Sequence, residues 1–207
     1  KVPEIKESDL NVKAPGDEGK IKCRIMEVND GTTYTREKQD YLSVNNGYLN
    51  WEDSPYSLIA VFERHGLTEN VAFGLVTGDI INKGAVATTY AHDHHNLLAM
   101  AQNKQDMLKA VNYLIEIQGG YCVVEDEEVI ASVRLPVAGI LSEKPVSKIG
   151  EKLKDVRKGM KKLGYKHYNP IMSLSTLSLP VSPELKISDQ GLIDLNKNQI
   201  VNLFMEG

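Results

Sequence analysis

The sequence has few of the residues and runs that mark secreted or membrane-spanning proteins. Its 207 residues include only two cysteines, Cys23 and Cys122, too few for a disulfide scaffold or a structural zinc site. No stretch approaches the roughly 18 consecutive apolar residues of a membrane helix, and no charged segment followed by an apolar core marks a signal peptide. We therefore expect a cytoplasmic protein in a reducing compartment, with no membrane partner.

An excess of charge of one sign is also lacking. The chain carries 24 basic and 28 acidic side chains, a formal net charge of −4, so its charge balance does not indicate a nucleic-acid partner. Hydrophobic residues make up 42% and charged residues 25%, both close to the averages of globular domains. The chain begins at Lys1 rather than at methionine, which predicts a processed chain or a fragment of a longer protein.

Several common catalytic motifs are missing as well. The glycines match neither the G-x-G-x-x-G pattern nor the P-loop, and there is no G-x-S-x-G nucleophile elbow. Ser173, Ser175 and Ser178 supply hydroxyl groups, but a packed, serine-rich strand is the simpler interpretation of residues 171–185. The order of elements does not alternate as βαβα, which argues against a Rossmann-type sheet.

What the sequence does contain is a series of short strand patterns. Apolar or β-branched runs bounded by glycine and asparagine are typical of strands. They occur at residues 20–29, 57–63, 71–77, 85–90, 96–101, 121–124 and 129–135. The run at 96–101 is also compatible with a helical turn. Turns are predicted at residues 29–31 and 45–47, and Asp126 lies in a predicted hairpin.

Two amphipathic helices are also predicted. The first follows Asn103, a suitable N-cap residue, and ends at Gly119-Gly120. The second runs from Pro145 to Gly164, with an apolar stripe opposite a basic, solvated face. The predicted fold class is α+β, with mixed or antiparallel β-sheets and at least two packed amphipathic helices.

The chain divides into two parts in this interpretation. Residues 1–56 contain proline, glycine and polar residues and are expected to form an extended lead-in with one or two strands. This lead-in is expected to pack on the main α+β domain of residues 57–207.

Histidines concentrate after the strand predicted at 85–90. His92, His94 and His95 stand with Asp93 in one short segment, and imidazoles beside a carboxylate provide metal ligands and a group that orients them. His92 and His94 also form an H-x-H pair, whose rings share one face on a strand. The alternative is a polar turn whose side chains bond to backbone groups.

A second polar group ends the strand predicted at 57–63. Glu63, Arg64 and His65 are suited to contact a ligand, although a charged run is also a common way to end a strand. The two clusters meet only if their strands are neighbours in the sheet.

Taken together, these segments resemble the C-terminal domain of bacterial and archaeal adenine deaminases. The resemblance covers the chain from about residue 57 onward and is specific because several separated motifs occur in the same order. These motifs are Val61–Gly66, Gly84–Thr89, Ala91–Asn96, Asn112–Glu116, Gly119-Gly120, Leu135–Gly139 and Leu177–Lys186. The family position that matches His94 is usually serine, so the sequence departs from the family pattern there.

The resemblance implies chemistry of the amidohydrolase superfamily, the hydrolysis of adenine to hypoxanthine and ammonia in purine salvage. In that family manganese, iron or zinc activates the attacking water. The metal ligands lie in a TIM barrel of about 250 residues, for which this chain has no counterpart. The resemblance therefore implies that the chain supports or closes the active site of its own enzyme's barrel domain, and that the isolated fragment is inactive.

The resemblance also suggests which residues contact the barrel or line its active site. These candidates are Glu63, Arg64, His65, His92, Asp93, His95, Asn96 and Glu184. No catalytic residue and no resident metal are expected in this fragment, although His92 and His94 are candidate metal ligands.

Two other functions stay open at this point. The chain is alternatively a free-standing purine- or metal-binding or assembly module without catalysis. A small metallohydrolase in its own right would need a metal at His92 and His94. A homo-oligomer is expected because the apolar strands need cover.

Overall fold

The computed structural model describes residues 2–29 and 31–205. Within those residues the strands are β1 (Gly19–Val28), β2 (Thr35–Asn45), β3 (Tyr48–Leu49), β4 (Ser57–Phe62), β5 (Val71–Gly78), β6 (Ala85–Thr88), β7 (Leu97–Ala101), β8 (Gly120–Glu125), β9 (Glu128–Arg134), β10 (Leu185–Ser188), β11 (Gly191–Asp194) and β12 (Gln199–Val201). The α-helices are α1 (Lys104–Glu116), α2 (Val146–Lys162) and α3 (Pro170–Thr176).

Nine of the strands form one mixed sheet in the order β3-β2-β1-β5-β4-β7-β6-β8-β9. Strands β1 and β5 run parallel, and the other neighbouring strands are antiparallel. Strands β10, β11 and β12 form a separate antiparallel sheet. The predicted α+β class with mixed and antiparallel sheets is therefore confirmed.

Both faces of the nine-stranded sheet are covered at its central strands, which are apolar except for Ser57 and Thr88. Every residue of β4, β6 and β7 is buried. Successive side chains on a strand point to opposite faces, so Leu58 and Ala60 pack in the core that includes α1, while Ile59 and Val61 pack in the core that includes α2. Each large aliphatic side chain buried in this way contributes about 1.5–3 kcal/mol.

The two predicted helices are confirmed. Asn103 caps α1, its side-chain oxygen accepting a hydrogen bond from the Asp106 backbone N–H at 2.7 Å. Helix α2 begins one residue after Pro145, and it buries Val156 and Met160 against the sheet while its lysines face outward. The run at 96–101 forms β7 and not a helical turn.

The N-terminal part contributes strands to the same sheet. β1 pairs along its whole length with β2, and β1 also pairs with β5 through Ile25–Val28. The turn predicted at 45–47 joins β2 to β3, with positive φ at Asn46 and Gly47. The turn predicted at 29–31 includes Asp30, which lies outside the described residues. The division of the chain at residues 56 and 57 stays a prediction.

The serine-rich strand predicted within residues 171–185 is wrong. Its first part is helix α3, which starts at Pro170 and is capped by the side chain of Asn169. Proline fits the first helical position because the backbone N–H it lacks has no partner there. The hydroxyl of Ser175 donates to the Met172 carbonyl three residues earlier, a local bond that suits a helical turn. No described helix has the length and apolar character needed to cross a membrane.

Candidate functional site

The two polar clusters of the sequence meet at one end of the nine-stranded sheet. Strands β4 and β7 are antiparallel neighbours with Phe62 opposite Leu97, so the residues after β4 lie beside those before β7. We call residues 63–65 and 91–96 together the histidine edge. From the sequence, the two polar clusters are expected to meet only if their strands are neighbours, and β4 and β7 are neighbours.

Arg64 joins the two parts of the histidine edge. Its backbone N–H donates to the Asn96 side-chain oxygen at 3.3 Å, and its Nε donates to the carbonyl of His95. Its Nη2 donates to the Ala138 carbonyl at 2.7 Å. Burial lowers the pKa of the guanidinium group. Sequence reasoning identified Arg64 but missed Ala138, which has no polar side chain to mark it.

Glu63 organises the loop that follows β4. Its carboxylate accepts hydrogen bonds from the backbone N–H groups of His65 at 2.6 Å, Leu67 at 3.1 Å and Thr68 at 3.0 Å. These bonds, that of Thr68 foremost, hold the pKa of the carboxyl group below its ordinary value. The ring Nε2 of His65 lies 2.8 Å from the His94 carbonyl, so this loop contacts the histidine segment directly.

Both ring nitrogens of His94 are engaged within the protein. Nδ1 accepts from the Asn96 backbone N–H at 2.9 Å, so the ring proton is on Nε2, which donates to the Ser178 carbonyl at 3.1 Å. Burial of the ring is the main cause of its lowered pKa. No three His, Cys, Asp or Glu side chains of the described residues are arranged to hold a metal ion. A metal ion bound by His94 would have to replace one of these two hydrogen bonds, and a role for His92 and His94 as metal ligands stays a prediction.

His92, Asp93 and His95 form the outward part of the edge. His92 Nδ1 lies 3.5 Å from an Asp93 carboxylate oxygen, and the side chain of Asp93 is 87% exposed. The ring of Tyr90 packs against both imidazoles, with centroid distances of 5.1 Å to His92 and 5.6 Å to His95. This arrangement leaves the Asp93 carboxylate exposed to solvent beside the partly exposed His92 imidazole.

The ring of His95 is held in an electropositive, partly buried position. Its Nδ1 is buried and has no hydrogen-bond partner among the described residues. Burial, the neighbouring His92 and the Arg64 guanidinium lower the pKa of His95. In a neutral imidazole, Nδ1 accepts a hydrogen bond in one tautomer and donates one in the other. The unpaired Nδ1 of His95 therefore has the capacity for one further hydrogen bond.

Asn96 links the histidine edge to the small sheet. Its side chain is buried, and its Nδ2 donates to an Asp189 carboxylate oxygen at 3.2 Å. Asp189 follows β10 and was missed by the sequence reasoning. Its only sequence signal is a polar Asp-Gln-Gly stretch typical of a turn.

Glu184 is the one predicted site residue that lies elsewhere. Its carboxylate accepts from the Glu37 backbone N–H at 2.8 Å, and its own N–H donates to the Thr35 carbonyl. Thr35 pairs with Val28, which pairs with Gly78 at the far end of β5. Seven of the eight predicted residues thus gather at the histidine edge, and Glu184 lies at the opposite end of the sheet. A role for Glu184 in an interface stays a prediction.

Comparison with known proteins gives a consistent result over most of the chain. Residues 32–199 match the family model of the adenine deaminase C-terminal domain. The chain is 54% identical over 205 residues to adenine deaminase 2 of Shouchella clausii (strain KSM-K16), covering 99% of this chain and 36% of that relative. It is 53% identical over 204 residues to an adenine deaminase of Clostridium perfringens (strain 13 / Type A), covering 98% of the chain and 36% of the relative. The chain therefore spans little more than a third of the length of the curated relatives it matches.

Proposed function

Because the chain belongs to the adenine deaminase C-terminal domain family, we propose that it is the C-terminal part of an adenine deaminase that hydrolyses adenine to hypoxanthine and ammonia. The observation that carries this proposal is the 54% identity over 99% of the chain to a protein named adenine deaminase 2. In our proposal the reaction takes place in a catalytic domain outside this chain. In the same proposal, the manganese, iron or zinc that the family resemblance implies is bound in that domain.

The histidine edge is the surface that we assign to the contact with the catalytic domain. Asp93 and His92 form its polar centre, and exposed apolar side chains lie beside it. Leu67 is 84% exposed in the loop that Glu63 organises, and Leu141 is 59% exposed in the segment that Arg64 contacts through Ala138. Exposed apolar side chains near polar groups are typical of surfaces that pack against another domain.

The chemistry of the edge suits a purine substrate held nearby. A carboxylate accepts hydrogen bonds only, as the amino group and ring N–H of adenine require, while an imidazole both donates and accepts. In this role Asp93 and His92 hold the substrate or its ammonia product, and the rest of the edge excludes water. Excluding water strengthens electrostatic interactions inside a closed site.

The test is an activity assay on a chimera. The chain replaces the matching third of Shouchella clausii adenine deaminase 2, and ammonia released from adenine is measured for the chimera, the intact relative and the 207-residue chain alone. We expect turnover by the chimera and the relative and none by the chain. Turnover by the purified chain, or an inactive chimera in which both parts are folded, would contradict the proposal.

A further inference from the structure

Several of the motifs that carry the family resemblance meet at the guanidinium group of Arg64. One edge of this group donates through Nε to the His95 carbonyl, and Nη2 donates to the Ala138 carbonyl at 2.7 Å. The two carbonyls belong to separate loops, the histidine segment before β7 and the segment of residues 135–139 after β9. A single side chain thus connects loops that lie about forty residues apart in the sequence.

A side chain at Gly139 would force the guanidinium group of Arg64 to shift from its position. A Cβ atom there would lie 2.9 Å from both Nη1 and Nη2 of Arg64, and the φ of Gly139 is +76°. Gly119 is tighter still, because a Cβ there would lie 2.6 Å from the backbone Cα of Gly139. The Thr89 hydroxyl donates to the Gly139 carbonyl at 2.6 Å and accepts from the Gly120 N–H at 2.8 Å.

We propose that Arg64 is a positioning residue that couples the segment 135–139 to the histidine segment and so sets the orientation of His92, Asp93 and His95. Arginine is needed because its planar fork carries donors in several fixed directions, whereas the ammonium of lysine is a compact point charge. The close contact of Gly139 with Gly119 and Thr89 fixes the position of the Ala138 carbonyl. Because Arg64 donates to both carbonyls, it then fixes the position of the His95 carbonyl relative to that of Ala138. The importance of this coupling for catalysis rests on the proposed function, but the coupling itself does not.

The coupling is tested on the 207-residue chain by amide hydrogen exchange. The variants Arg64→Lys and Gly139→Ala each disrupt the contact between the Arg64 guanidinium group and the segment 135–139, one from each side. Gly31→Ala is the matched control, because the φ of Gly31 is +79° and a Cβ there would meet nothing within 4 Å. The reporting amides are those of His95, which donates to the Ala91 carbonyl at 2.7 Å, and of Asn96.

We expect these two amides to exchange about tenfold faster in Arg64→Lys and in Gly139→Ala, the factor that the loss of one hydrogen bond gives. Amides in the centre of β7 should exchange as in the unaltered chain, and so should the amides of His95 and Asn96 in Gly31→Ala. The combined Arg64→Lys, Gly139→Ala variant should be no faster at His95 than the faster single variant, since both changes break one contact.

Three results would overturn the proposal. They are unchanged exchange at His95 and Asn96 in Arg64→Lys, an equal increase across all strands that shows general destabilisation, and additive effects of the two changes. If Gly139→Ala does not fold, Arg64→Lys alone decides the question. None of these readouts depends on turnover, so their failure is distinguishable from failure of the proposed function.

Discussion

Replacing Lys186 with methionine is expected to change how the stability of the chain depends on pH. The side chain of Lys186 is fully buried, and its Nζ donates to the Thr33 carbonyl at 2.6 Å. Burial lowers its pKa from 10.5 to about 8. The folded chain therefore holds this proton less tightly than the unfolded chain does, which means that protonation of Lys186 opposes folding.

The size of the effect follows from the difference between the two pKa values. One pKa unit corresponds to about 1.4 kcal/mol, so a fall from 10.5 to about 8 amounts to about 3 kcal/mol when both states are protonated. This penalty is fully present below pH 8 and disappears as pH rises toward 10.5. Between pH 7 and pH 9.5, about 2 kcal/mol of stability should be recovered.

Urea unfolding of the unaltered chain and of Lys186→Met at the two pH values measures this effect. The variant also removes one of the two donors to the Thr33 carbonyl, the other being the Ser182 hydroxyl at 3.3 Å. That loss costs about 0.5–1.5 kcal/mol but does not depend on pH. The decisive quantity is therefore the change with pH in the difference between the two free energies of unfolding. A difference that stays constant from pH 7 to pH 9.5 would refute the reasoning.

Three further predictions concern other parts of the fold. Asn103→Ala should lower the free energy of unfolding by about 1 kcal/mol in urea because the Asp106 N–H loses its cap; no loss would show that the cap contributes nothing. Because burial lowers the pKa of His94, stability should fall as pH drops below 6.5, and His94→Gln should show less of this fall; identical pH profiles would contradict this. Burial raises the pKa of both Cys23 and Cys122 to about 12, so a thiol reagent at pH 8 should modify them only in urea; rapid modification of the folded chain would contradict their burial.

The parts of the fold that the sequence predicted well are those in which local signals and packing agree. The run Ser57–Phe62 is apolar from Leu58 onward, as expected of a strand covered on both faces. The Asn103 cap and the apolar spacing that follows it both indicate helix α1, and the structure agrees. Each of these elements is specified by residues close together in the chain.

Helix α3 shows where this approach fails. This helix has only seven residues, and its serines and apolar residues fit a strand pattern as well as a helix pattern. The Asn169-Pro170 start decides between them, because the asparagine caps the helix and the proline fits its first position. The sequence prediction gave more weight to the serine-rich, apolar composition of residues 171–185 than to this two-residue helix start.

The candidate site could be predicted only in part for a different reason. His92, Asp93 and Arg64 were identified from residue type, but the convergence on Arg64 involves the backbone carbonyls of His95 and Ala138. Backbone groups carry no residue-specific signal, so their contribution depends on tertiary structure. The same holds for Glu184, whose position at the other end of the sheet follows from strand order.

The most direct test of the central claim is the effect of Asp93→Asn on kcat/KM for adenine in the chimera described above. The control is Glu151→Gln, which removes a charge from the exposed face of α2. We predict that Asp93→Asn lowers kcat/KM about ten- to a hundredfold, the effect of losing one hydrogen bond to a charged group, and that Glu151→Gln leaves it unchanged. Equal kcat/KM for Asp93→Asn and the unaltered chimera would contradict the claim that the histidine edge faces the active site.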